Sequence, residues 1–305
     1  PGNVNRFTGL VFQRRIDFMD FSLKWNKYCL ELGTRTHLMG VLNVTPDSFS
    51  DGGHYFSAPD AVAHGVAMAR DGADIIDIGG ESTRPYSRRL PADEEMERVI
   101  PVISALSKEI PVPISIDTYK SKVALEALNA GASMINDISA LRLDPQMATV
   151  AAEANVPVIL MHMQGTPESM QLHPVYDNLI QEIIDFLKGA LARCKSAGIK
   201  ENRVILDPGI GFGKTFDHNL SVIHHLEKFQ ALKKPLLVGP SNKAFIGHIL
   251  SREAHDRDTG TMATVAACVM NGAHIIRVHN VKMAAETIKV IDAIQRERVS
   301  EGVLA

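Results

Sequence analysis

The 305-residue chain is short of the features that mark specialised protein classes. It has only three cysteines, Cys29, Cys194 and Cys268, far apart and without Cys-x-x-Cys or Cys/His ligand spacing. That excludes a disulfide framework and a structural zinc site, and it predicts reduced thiols. No apolar run approaches the ~18–20 residues of a membrane span. The N-terminal residues lack the basic-then-apolar layout of a secretory signal, so a cytoplasmic protein with no membrane attachment is expected. Neither sign of charge is blocked: 32 Lys and Arg face 35 Asp and Glu, a net charge of −3, which speaks against a nucleic-acid partner. Any anionic ligand must be held by a few local groups.

Familiar catalytic motifs are missing as well. Pro208-Gly-Ile-Gly-Phe-Gly-Lys214-Thr215 looks like a phosphate loop, but Pro208 stands where the first Gly is required. Gly239-Pro-Ser241-Asn-Lys243 ends in Lys rather than the Gly of a nucleophile elbow, so no hydrolase triad is supported. There is no His-Glu-x-x-His and no Gly-x-Gly-x-x-Gly after an opening strand. His54, His64, His173, His218, His224, His225, His248, His255 and His274 show no metal-like pairing, and Met161 with Met163 reads as packing.

What is present is a folded core and a repeat. The chain is 45% apolar and 22% charged, an ordinary globular balance. Eight short apolar, β-branched runs predict strands: 37–45, 74–80, 112–118, 134–139, 156–163, 204–208, 235–241 and 274–279. Helical spacing of apolar residues fills the gaps at 58–70, 94–108, 120–130, 145–154, 176–197, 219–230, 259–271 and 282–296. The strands recur about every 34 residues, the length of a βαβ unit. Eight such units predict an α/β fold, a closed (β/α)8 TIM barrel, rather than a doubly wound sheet. At about 150 residues per domain two domains would fit, but no linker divides the chain, so one domain over 1–305 is expected. Phe7–Arg14 and Asp17–Trp25 are expected to form a β-hairpin capping the barrel bottom.

Barrels of this kind carry reactive groups at the C-terminal strand ends. Those ends hold Asn43, then Glu81 with Thr83 and Arg84, Asp117, Asn136 with Asp137, His162 with Gln164, Asp207, Ser241 with Lys243, and Arg277 with His279. Singly, each has a plain reading. Asp and Asn after a strand are common turn formers and caps, and Asp137 reads that way; a lone surface ion pair contributes little. Eight polar ends in succession imply a shared pocket. Two carboxylates and an amide, Asp117, Asp207 and Asn136, can read the donor-rich edge of a 2-aminopyrimidinone, with Lys243 facing ring acceptors. Arg277, His279 and Asn43 can take a diphosphate, with Mg2+ carried on hard oxygen ligands.

At these residues the sequence resembles the dihydropteroate synthase family. The carriers are Leu38-Met-Gly-Val-Leu-Asn-Val-Thr-Pro-Asp-Ser-Phe-Ser-Asp-Gly-Gly53 and Ile76-Asp-Ile-Gly-Gly-Glu-Ser-Thr-Arg-Pro85. Ser115-Ile-Asp-Thr118, Asn136-Asp-Ile138, the Leu206–Lys214 run and Arg277-Val-His279 extend the resemblance along the barrel. It implies a dimeric pterin-binding barrel that joins hydroxymethyl-dihydropterin diphosphate to p-aminobenzoate, the sulfonamide-sensitive step of folate synthesis. It implies pterin contacts from Asp117, Asn136, Asp207, Lys243 and Met161, and a diphosphate and Mg2+ group of Asn43, Arg277 and His279. It further implies a p-aminobenzoate site of Phe49, Thr83, Arg84, Pro85, Phe212 and Ala244. Asp51 would help to stabilise the cationic pterin methylene left when diphosphate departs, with Asp117 and Lys243 beside it. The family pattern Ser-Arg-Lys-Ser reads here Ser241-Asn-Lys-Ala244, and Asn280 follows the His where Asp is common. Two rivals keep the barrel: a folate–corrinoid methyltransferase, which has no need of the two loop signatures, and a silent pterin-binding paralogue.

Overall fold

The computed structural model describes residues 19–45, 57–82 and 89–297. Eight parallel strands form one sheet: β3 (His37–Asn43), β4 (Ile75–Gly79), β5 (Ile114–Asp117), β6 (Met134–Asp137), β7 (Val158–Met161), β8 (Val204–Asp207), β9 (Leu237–Val238) and β10 (Ile275–Val278). Their order is β8-β7-β6-β5-β4-β3-β10-β9. A parallel bridge between Leu206 and Leu236, with the Leu206 N–H donating to Pro235 O at 2.9 Å, joins the two ends and closes the barrel. Every predicted strand run contains one of these strands. They read as unbroken apolar runs because both faces are covered, by the barrel interior and by the helices; β3 is buried from His37 to Leu42.

The helices follow local signals. Ser57 caps α1 (Ala58–Arg70) through the Asp60 N–H, and Asp71-Gly72 ends it with Gly72 at φ +106°. Asn178 caps α5 (Leu179–Ser196), and Thr215 with His218 closes a reciprocal cap on α6 (Phe216–His224). Also wrapping the barrel are α2 (Ala92–Glu109), α3 (Ser121–Ala130), α4 (Met147–Ala154), α8 (Asp258–Met270) and α9 (Val281–Arg296). The short α7 (Ala244–Leu250) was not expected from periodicity. Seven residues are too few for the spacing to register.

The hairpin is real: β1 (Phe21–Trp25) lies within the expected Asp17–Trp25 arm, but it pairs with β2 (Tyr28–Leu32), which was not expected as its partner. Phe7–Arg14 lies outside the described residues. Alternation within Phe-Ser-Leu-Lys-Trp and Tyr-Cys-Leu-Glu-Leu buries Leu23, Trp25, Leu30 and Leu32, and Asn26 takes φ +45° in the two-residue turn. The hairpin covers the N-terminal strand ends as expected: Phe21 packs edge-on to His274, which precedes β10, and His274 Nε2 lies 3.1 Å from Met19 O. The three cysteines are free. Among the described residues no helix is long and apolar enough to cross a membrane.

Candidate active site

Strand pairing sets Asn43, Gly79, Asp117 and Asn136 in one row across β3 to β6, and Met161 beside Asp207 on β7 and β8. Gly79 has no side chain to separate its neighbours. A Cβ there would stand 3.7 Å from Asp117 Oδ2 and 3.8 Å from Asn43 Oδ1, so these two groups face each other across the glycine.

From β10, Arg277 crosses to this row. Its Nη2 donates to Asp117 Oδ2 and its Nε to Asp77 Oδ2, both at 2.6 Å. Asn136 Nδ2 donates to the same Asp77 oxygen at 3.0 Å. On the other side, Asp207 Oδ1 accepts the Gly209 N–H at 2.7 Å, while Lys243 places its ammonium 4.6 Å from the centre of the Phe212 ring. The side chains of Asp117, Asn136, Asp207, Lys243 and Arg277 therefore lie together at the C-terminal ends of the strands. Burial of this many charges shifts their proton affinities. Asp117 is pushed up to about 7 by burial, against the pull of Arg277, and Asp207 to about 6 by burial, against the Gly209 N–H. Lys243 is brought down to about 8 by burial, with Arg277 acting in the same direction. Burial would loosen the Arg277 proton too, but Asp77 and Asp117 outweigh it and keep the guanidinium firmly charged.

Next to this group, Ser241 Oγ and His279 Nδ1 lie 2.8 Å apart. Met161 packs with Tyr119, Ile138, Met163 and Met170 in an apolar cluster against which Phe212 rests. Ala244 opens α7 and is exposed. Asp137 behaves as a turn former: its two oxygens accept the Ser139 and Leu141 N–H groups at 2.7 and 2.8 Å. Phe49, Asp51, Thr83, Arg84 and Pro85 lie outside the described residues.

Two site residues were missed from sequence. Asp77 is wholly buried in β4, and the signal was an acid between two isoleucines in an otherwise apolar strand. Lys214 is 2% exposed, and its ammonium lies 2.9 Å from both His162 Nδ1 and Gly209 O and 3.1 Å from Phe212 O, pinning the glycine-rich loop under the pocket. Burial lowers it to about 7, and burial of the His162 ring, with the Lys214 charge acting in the same direction, brings that imidazole down to about 2, so His162 is a neutral acceptor. Glu81 accepts from Tyr119 Oη at 2.9 Å, from Lys120 and from the Leu90 N–H at 3.4 Å.

No group of three or more His, Cys, Asp and Glu side chains suited to a metal occurs among the described residues. Asn43 offers a single amide oxygen at the pocket edge. One hard oxygen suits Mg2+, which keeps waters and takes its other ligands from substrate phosphates.

The family model described as pterin binding enzyme matches residues 39–279. The dihydropteroate synthase of Bacillus subtilis strain 168 is 50% identical over 260 residues, covering 85% of this chain and 89% of that protein. The Yersinia pestis dihydropteroate synthase solved with a sulfonamide drug superposes with a TM-score of 0.87 at 43% identity, covering 90% of this chain and all of that one. The Xanthomonas albilineans dihydropteroate synthase in complex with 7,8-dihydropteroate gives 0.82 at 40% identity, over 90% and 98% of the two chains.

Proposed function

The chain belongs to the pterin binding enzymes, and we propose that it carries out the condensation of the dihydropteroate synthases it matches. Dihydropterin diphosphate and p-aminobenzoate give dihydropteroate and diphosphate. The convergence of Asp117, Asn136, Asp207 and Lys243 on one mouth carries this reading. The first three present acceptors to the amino and ring N–H edge of the pterin, and Lys243 presents a cation to its ring acceptors. Asn43, Arg277 and His279 hold the diphosphate. The methylene C–O bond breaks with both electrons leaving on diphosphate, and the cationic methylene is then attacked by the p-aminobenzoate nitrogen, which releases a proton. Oriented charges serve such a step better than a nucleophilic side chain, in keeping with the absence of a triad motif.

When bound, Mg2+ would neutralise charge building on the departing diphosphate, with Asn43 as its protein ligand. Phe212, Ala244 and the loop residues Phe49, Asp51, Thr83, Arg84 and Pro85 complete the p-aminobenzoate side. A homodimer is supported by apolar side chains left exposed on the packed helices α6, α7 and α8: Phe216, Leu220, Ile249, Leu250 and Met270. Work in the cytoplasm agrees with three free thiols.

Incubating the protein with both substrates and Mg2+ and assaying dihydropteroate tests the activity. Product formation is expected. Binding of free pterin without product would leave a silent binder, and methyl transfer from a folate to a corrinoid protein would favour the other rival.

A further inference from the structure

Asp77 has no part in the reading above, yet it has no exposed surface and sits at the centre of the site's hydrogen bonds. Its Oδ2 takes two donors, Arg277 Nε at 2.6 Å and Asn136 at 3.0 Å, while its Oδ1 is buried with no partner among the described residues. A carboxylate held by a guanidinium only accepts, so the Asn136 atom facing it has to be the NH2 group. That fixes the other end of the amide. The Asn136 side-chain oxygen, Oδ1, takes no hydrogen bond among the described residues and is the atom left for a ligand. Likewise Arg277 is divided between Asp77 and Asp117, which occupies one oxygen of Asp117 and leaves the second.

We infer that Asp77 is a positioning residue that sets substrate specificity: by gripping the NH2 of Asn136 it turns that amide into an obligate acceptor, so Asp117, Asn136 and Asp207 together admit only a donor-rich edge. The inference rests on the pterin reading and adds the source of its selectivity. Lumazine, in which a carbonyl oxygen replaces the pterin amino group, would set oxygen against oxygen. A site built to bond N–H groups rejects a ligand lacking them far more strongly than an apolar pocket rejects a misfit. In Asp77→Asn the new side chain carries its own NH2 and no charge, so Asn136 is free to turn over and donate.

Calorimetric titration of pterin and lumazine into the wild-type protein and Asp77→Asn tests this. The wild type should prefer pterin by about 100-fold or more, and the variant by about 10-fold or less, because one acceptor has become convertible. A wild type indifferent to the two ligands would sink the pterin reading itself. A wild type selective for pterin, with a variant that binds both ligands more weakly but in the same ratio, would overturn the role of Asp77 alone. If the variant does not fold, the wild type still decides. With asparagine labelled by nitrogen-15 and assigned against Asn136→Ser, the Asn136 NH2 protons should be protected from exchange before ligand is added and barely shift when pterin binds. Unprotected protons, or a large shift from a direct bond to pterin, would overturn the inference.

Discussion

Three residues that break the family pattern divide by cause. Asn242 stands at φ +56°, a conformation Asn tolerates better than most side chains; its N–H donates to Thr261 Oγ1 at 3.1 Å and its carbonyl accepts from Arg257 at 3.0 Å. It holds the turn that aims Lys243. Asn280 caps α9 through the Met283 N–H at 3.2 Å and donates its NH2 to Asp258 Oδ2, at the start of α8, at 2.7 Å. Asp would cap as well, but it would place like charges together. Asn280→Asp should therefore lose about 1–3 kcal/mol in chemical denaturation near neutral pH, and an unchanged midpoint would contradict the donor role. Ala244 has no compensating partner: it lacks the hydroxyl of the family pattern. Ala244→Ser is expected to lower KM for p-aminobenzoate by roughly 2- to 10-fold, the effect of one net hydrogen bond; an equal or higher KM removes the idea. Asn43→Ala should weaken binding of the diphosphate substrate and reduce its dependence on Mg2+ while sparing free pterin. Equal losses for both ligands would place Asn43 on the pterin instead.

At the scale of strands and helices, apolar period and turn chemistry were legible wherever an element was long enough to repeat. All eight barrel strands could be read, and Gly72, Gly131, Gly198 and Gly272 lie at helix ends, all at positive φ. The second hairpin arm, β2, was missed because the Asn26-Lys27 turn before it carries no glycine, and α7 is too short for periodicity. Strand ends gave the site residues that stop a strand. They hid Asp77, which lies inside one, and Lys214, whose charge satisfies three acceptors that meet only on folding. The loop after β8 shows how tightly that folding is set. Gly209 takes φ +73°, and a side chain there would overlap the His162 carbonyl oxygen. Gly209→Ala is expected to push the loop off Lys214, carrying the Asp207 and Phe212 contacts with it. Pterin affinity should fall by about 100-fold, the loss of two or three net hydrogen bonds, with the far-ultraviolet circular dichroism of the barrel retained. Full affinity in that variant would show the loop to be dispensable.

Across the barrel mouth as a whole, the carboxylates Asp77, Asp117 and Asp207 are buried together with the cations Arg277, Lys243 and Lys214. Burial, reinforced at Asp117 by the neighbouring Asp77 charge, is why Asp207 and Asp117 hold their protons up to about 6 and about 7, and the consequence is kinetic. In the proposed pterin complex both must be ionised to accept the ligand's N–H groups, so kcat/KM for the pterin substrate should climb as pH rises through these values. The fall on the alkaline side begins near 8, where Lys243 sheds the proton that makes it a cation for the ring acceptors. A bell centred between about 7 and 8 is expected, its acid limb steeper than a single titration because two groups contribute. Replacing Asp117 by Asn removes one of them. The acid limb of that variant should soften to a single step and move down toward the value of Asp207, on top of a lower maximum. Ionisation of the substrate's own diphosphate would leave the limb of the variant where it is in the wild type, so an unmoved limb would transfer the pH dependence from the protein to its ligand.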